Sequence, residues 1–375
     1  MNVIRPQASP HSSGLGRPLA ATQGLIDVDI HPRPRSINDY EPWLSAEMRE
    51  RLNTFGIRPR HGFVKGTPYF KSQPLACRRD AWPETGTPAS DLAFMQSQML
   101  DFHGIDVGVL NPLQPTAQGD QNNPFSVAMA HAVNEWQLAT WVDRDARLRA
   151  SIVVPYEDPE ASAREIRARG GDARFCQVLL MSRTSHPLGN PKYWPIFEAA
   201  QEVGLPIGIH AFGYSGWAMT NGGWPSFYIE EVSEHATSCQ SLVHSLVIEG
   251  VLERFPKLRI ILIECGFGWL PSVAWRLDKH WPSLKSELPA MQRLPSQQIR
   301  DQIWVSTQPI EEPPRPEHLL DCMSWIGWDK ILYASDYPHW DFDDPRTAIP
   351  SFIPEDKRAA IYGGNARKLY GFDHV

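Results

Sequence analysis

Cysteine is scarce in this chain of 375 residues. There are five (Cys77, Cys176, Cys239, Cys265 and Cys322), an odd number, scattered and without a Cys-x-x-Cys pair. Neither a disulfide framework nor a thiolate zinc knuckle is indicated, and a reducing compartment is expected. No apolar run approaches the ~18 residues of a membrane span. The opening "MNVIRPQASPHSSGLGRPLAATQ" lacks the apolar centre of a secretory signal, so the expected location is the cytoplasm. Clusters of Lys and Arg are also missing, and the formal charge is −7. That balance argues against a nucleic-acid or anionic-membrane partner and leaves a small molecule. With 42% apolar residues the chain has the composition of a folded protein with a large core.

Residues 1–22, rich in Pro, Ser and Gly, read as a flexible arm, free or laid on a neighbouring subunit; residues 23–375 read as the folded body. Within that body, short β-branched runs recur at 25–31, 105–111, 148–154, 175–181, 206–210, 258–264, 303–307 and 331–336. Stretches with helical periodicity lie between them, among them "SDLAFMQSQMLDFHG", "EASAREIRARGG" and "YWPIFEAAQEVG". Near-continuous apolar strands separated by helices imply a parallel sheet covered on its faces, and eight such units predict a (β/α)8 TIM barrel. The first strand is followed by a segment from about 33 to 90 that is too long for an ordinary connection. It is expected to be an insertion on the active-site face, acting as a lid or specificity cap.

The ends of the strands carry the chemistry. "LIDVDIHPRP" stops in Asp29-x-His31 before Pro32; His210 ends the fifth strand, Glu264 the sixth and Asp336 the eighth. In a barrel these carboxyl ends share one rim, so residues far apart in sequence converge. Two His and two Asp satisfy one divalent ion and leave a position for water, which the ion makes nucleophilic. The expected metal ligands are Asp29, His31, His210 and Asp336. Asp336 and Glu264 are the expected catalytic residues, with Glu264 as general base or proton shuttle beside the ligands. His339 and Asp341, just beyond Asp336, are candidates for substrate or ligand contact. His235 and His244 are candidates for completing a second metal site with Glu264, His244 lying in an apolar helical run where a packing role is the alternative. The aromatic runs "FGYSGW" and "NGGWPSFY" suit an apolar or aromatic substrate body.

From about Leu25 to Phe372 the residues resemble the amidohydrolase superfamily, in particular the group containing aminocarboxymuconate semialdehyde decarboxylase and the resorcylate-type decarboxylases. The resemblance rests on "IDVDIHP", "GLPIGIHAFG", "GVLERFPKLRIILIECGFGWLP", "ILYASDYPHWD" and "GGNARKLYGF". It implies a metal-dependent barrel whose ion is held at Asp29, His31, His210 and Asp336. The chain departs from that group at two positions. Asp29 stands where the better-studied decarboxylases carry His or Glu, which admits manganese or iron beside zinc. Glu264 stands where they carry a His that handles the proton. The expected cofactor is a divalent ion, zinc or manganese first and iron also, with one ion expected and two admitted. The first functional reading is a hydrolase using metal-activated water; the alternatives are a non-oxidative carboxy-lyase on an aromatic or enoic acid and a dinuclear oxygenase of the 2-aminoisobutyrate hydroxylase type. A homo-oligomer is expected, with a hetero-oligomer as the variant.

Overall fold

The structure, a computed structural model, describes residues 24–57, 76–113, 116–120, 122–211, 227–288 and 291–372. The arm at 1–22, the tip of the insertion and most of the two aromatic runs lie outside the described residues. Eight parallel strands follow one another around a single sheet: β1 (Leu25–Ile30), β2 (Ile105–Leu110), β3 (Leu148–Val153), β4 (Phe175–Met181), β5 (Ile207–His210), β6 (Ile260–Ile263), β7 (Ile303–Ser306) and β8 (Ile331–Leu332). Every strand pairs with its sequence neighbour, and helices alternate with the strands. This is the (β/α)8 barrel that the alternation predicts. Its strands are short and apolar because both faces are covered, by the barrel interior on one side and the helices on the other.

The helices start where local chemistry stops the preceding loop. Asn122 and Asp158 accept hydrogen bonds from the amides of Phe125 and Ala161, capping the Asn123–Gln137 and Pro159–Arg169 helices. Each has proline in its first turn, where no amide donor is needed. Between β5 and β6 runs the 21-residue Tyr228–Ile248 helix, which carries both His235 and His244.

The barrel closes differently from the expectation at its last strand. The run 331–336 is expected to be a full strand, yet only Ile331–Leu332 has strand geometry. Beyond it the seam to β1 is made by side-chain and isolated backbone bonds together. Asp27 accepts from the Ser335 amide (2.9 Å) and the Ser335 hydroxyl (2.5 Å), and two backbone bonds, Val28 N to Tyr333 O (3.1 Å) and His31 N to Tyr337 O (2.8 Å), complete the closure. At the opposite end of the chain's path, Tyr370 from the Asn365–Tyr370 helix donates to Gln177 on β4 (2.8 Å). Gly208 on β5 leaves room for that Gln177: a Cβ there would sit 2.9 Å from its amide atoms.

The described part of the insertion contains the Ala46–Phe55 helix and a returning segment that is tied to the rim. Cys77 bridges antiparallel to His339, Arg78 N donates to Pro338 O (3.0 Å) and Trp340 N to Ala76 O (2.8 Å). Among the described residues no helix is long and apolar enough to cross a membrane.

Candidate metal centre

Asp29, His31, His210, Glu264 and Asp336 meet at the carboxyl rim, all buried. His31 Nε2 lies 2.8 Å from Asp336 Oδ1 and 3.3 Å from Asp29 Oδ1. His210 Nε2 lies 2.8 Å from Glu264 Oε2 and 3.8 Å from Asp29 Oδ2. Ligand atoms from Asp29, His31, His210 and Glu264 fall within 4.8 Å of one another, and so do those of His31, Glu264, Asp336 and His339. Donors bound at ~2.0–2.2 Å around one ion stand ~3–4 Å apart, which is the spacing seen here. Asp29 Oδ2 and Glu264 Oε2 are buried acceptors with no hydrogen-bond donor among the described residues. Buried carboxylate oxygens are rarely left so, and a cation satisfies both. The donor set, imidazole nitrogen with carboxylate oxygen, suits zinc, manganese or iron.

The ligands are held from behind. The side chain of Asn111, just after β2, donates to Asp29 Oδ1 (2.8 Å) and to Val28 O (3.0 Å), while its backbone carbonyl accepts from His31 Nδ1 (2.8 Å). A proton on Nδ1 leaves the Nε2 lone pair facing the cluster, the tautomer a metal ligand requires. Asn111 Oδ1 in turn accepts from Ser151 (2.7 Å) and Gln177 (2.9 Å). On the other side Gln308, after β7, reaches Asp341 Oδ2 (3.1 Å) and Asp336 Oδ2 (3.4 Å). Glu264 (φ 57°) and Asp336 (φ 61°) occupy left-handed backbone, where side-chain-bearing residues are uncommon. Such strain costs about 1–3 kcal/mol and is held where the surroundings demand it.

The charges follow from that crowding. Burial disfavours a charged His31, but Asp29 and Asp336 outweigh it and hold the protonated ring up to about 10. Burial likewise opposes ionisation of Asp29, yet His31 keeps its carboxyl below the usual range. The protonated ring is the positive charge that these carboxylates require, and a divalent cation supplies the same charge at the same place. Burial pushes Asp336 up to about 6 and, with the Asp336, Asp341 and Asp29 carboxylates, pushes Glu264 well above its usual range. Burial also drives His210 and His235 down to about 3.

The expected ligands are therefore brought together, and Glu264 goes further than expected: its carboxylate lies inside the donor cluster, not beside it. His339 joins too, with Nδ1 2.5 Å from Asp336 Oδ1 and its ring stacked on His31. His235 reaches the other Glu264 oxygen at 3.6 Å. His244 does not join; its Nδ1 bonds the Gln240 carbonyl one turn back on its own helix (2.7 Å), the packing role. Asn111, Gln308, Ser151 and Gln177 were not expected. Their amides and hydroxyl carry no motif, and only the barrel's order of strands puts them behind the ligands.

Eight parallel strands with a buried His and carboxylate cluster on the carboxyl rim define a metal-dependent barrel enzyme. The amidohydrolase family model matches residues 26–372, and the chain belongs to that family. Over 307 residues it is 26% identical to the gamma-resorcylate decarboxylase of a Polaromonas species, covering 77% of this chain and 90% of the relative. An amidohydrolase from Mycobacterium avium subsp. paratuberculosis superposes with a TM-score of 0.69 at 22% identity, over 94% of this chain and 99% of the other. A dihydroxybenzoic acid decarboxylase from Polaromonas, crystallised with manganese and 2-nitroresorcinol, superposes with a TM-score of 0.62 at 19% identity, over 94% and 98%.

Proposed function

We propose that the chain is a metal-dependent carboxy-lyase that releases CO2 from a hydroxylated aromatic acid. The observation that carries this reading is the similarity, along most of the chain, to gamma-resorcylate decarboxylase. The hydrolase placed first from the sequence needs Glu264 as an ionised base. In the lyase the same carboxyl, 2.8 Å from His210 Nε2, serves instead as the proton donor.

Asp29, His31, His210 and Asp336 are the proposed ligands, and a divalent ion held by them supplies positive charge for the anionic oxygens of a carboxylate and its neighbouring hydroxyl. Arg183 and Arg33, half-buried after β4 and β1, add cationic charge that His235 and His339 feel. Glu264 gives its proton to the ring carbon bearing the carboxylate. The new C–H bond forms, the C–C bond breaks, its electrons return to the ring and CO2 leaves. Glu264 is reprotonated from water, with His235 in reach of its second oxygen.

The test is CO2 release from 2,6-dihydroxybenzoate and other ortho-hydroxybenzoates by manganese-loaded protein in D2O. One deuterium at the vacated ring carbon is the expected product; hydrolysis of esters or lactones with no CO2 from any acid returns the site to the hydrolase reading. A second reading has its own observation: the ligand atoms form two quartets with Glu264 in both, and a carboxylate is able to bridge two ions. Two ions per chain in freshly purified protein would support the dinuclear oxygenase, and one supports the lyase.

A further inference from the structure

Two cysteines that the proposed reaction does not use lie directly behind Glu264. Cys265 follows it in the chain, and Cys239 lies one turn beyond His235 on the Tyr228–Ile248 helix. Their Sγ atoms are 2.8 Å apart, although the residues are separated by 26 positions, and both side chains are buried. Non-bonded heavy atoms rest at ~3.5–4.0 Å even for carbon, whereas an S–S bond is about 2.05 Å. The pair thus stands about midway between bonding distance and ordinary contact. Cys265 Sγ also lies 3.2 Å from Ile263 O and Cys239 Sγ 3.8 Å from Ser238 Oγ, and the ionisable group next to Cys265 in the chain is the Glu264 carboxyl.

We propose that Cys239 and Cys265 are a redox-active pair whose reversible disulfide braces the His235 helix against the turn that carries Glu264. A peroxide is the oxidant. One cysteine sulfur attacks hydrogen peroxide, the O–O bond breaks, one water leaves and a sulfenic acid remains. The second thiol attacks that sulfur, the S–S bond forms and the second water leaves. Each cysteine gives up one hydrogen, and the two protons and two electrons end in water; an added dithiol reverses the step. Closure draws the sulfurs together by about 0.8 Å. It acts on a turn in which Glu264 (φ 57°) and Gly266 (φ 59°) are both left-handed, and on the helix that sets His235 3.6 Å from Glu264. Oxidation thereby fixes two elements of the site against each other without touching a ligand.

The experiment uses the full chain loaded with zinc, which has no redox chemistry of its own. The protein is treated with hydrogen peroxide, denatured and alkylated, and its peptides are mapped by mass spectrometry. Two of the five thiols should escape alkylation and one cross-linked peptide should join Cys239 to Cys265; a dithiol should restore all five. Cys239→Ser should abolish the cross-link, and if that variant does not fold the wild-type map decides alone. Zinc release to a chelator should be at least threefold slower in the oxidised protein. Five alkylated thiols after treatment, or a cross-link between other cysteines, would overturn the pair. A cross-link that leaves zinc release unchanged would overturn the brace.

Discussion

His31 carries more of the site than any other side chain, since Asp29 and Asp336 both face its Nε2 and Asn111 fixes its other nitrogen. His31→Ala should therefore lower metal content at least tenfold while the far-ultraviolet circular dichroism stays that of the parent. Asp336→Asn should do the same; Asn is chosen because it tolerates the left-handed backbone that Asp336 occupies. Full metal content in either variant, measured by mass spectrometry of the metal, would remove that residue from the ligand set. Glu264→Gln keeps the reach but not the proton. It should cut turnover by roughly a hundredfold or more. In the parent, Glu264 works as an acid, so kcat/KM should fall as pH rises through the pKa of its carboxyl. The variant should lose that high-pH limb. Asp29, His31, His210, Glu264 and Asp336 were legible because each lies at the end of a recognisable apolar run. Asn111 was not, because nothing in "VLNPLQ" marks an amide that serves a strand 82 positions away.

The eight strands were legible as elements for the same reason: buried parallel strands must be apolar along their whole length, and that leaves short β-branched runs. The eighth was misjudged in extent. "ILYASD" has the composition of a strand, but Ser335 donates its hydrogen bonds to the carboxylate of Asp27, so a side-chain clasp stands in for part of the pairing that sequence patterning detects. Nothing in the run "LIDVDI" marks Asp27 for that role. Burial raises its carboxyl to about 7, and both of its oxygens accept from Ser335. Asp27→Ala removes both acceptors, leaves the buried Ser335 amide unpaired and should destabilise the fold by about 1–3 kcal/mol, read as a lower urea midpoint. An unchanged midpoint would mean that the backbone bonds of Val28 and His31 hold the seam alone. The insertion's return to the rim at Cys77 and Arg78 was legible only as a length anomaly; its docking on Pro338–Trp340 depends on backbone pairing that no side chain announces.

At the scale of the whole molecule, the acidic groups of Asp29, Glu264 and Asp336 are gathered in the buried rim beside His31 and His210, and a bound cation stabilises the folded state in which they meet. Chelation should lower the thermal midpoint, by roughly 3–8 °C if the metal had been present at about a hundred times its dissociation constant. Manganese should restore it. A midpoint indifferent to chelator and metal would mean that the cluster does not hold an ion strong enough to matter for folding.

The hydrogen bonds described separately form one chain: Tyr370 to Gln177, Gln177 to Asn111, Asn111 to Asp29 and His31, and His31 to Asp336. Its members are made in a fixed order during synthesis. Asp29 and His31 leave the ribosome early, while Asp336 and Tyr370 follow more than 300 residues later. Until then the first two ligands have neither their opposite carboxylate nor the support that fixes their orientation. A nascent chain therefore presents only a weak Asp-x-His fragment to the metals around it, and selection among them is deferred to the finished barrel.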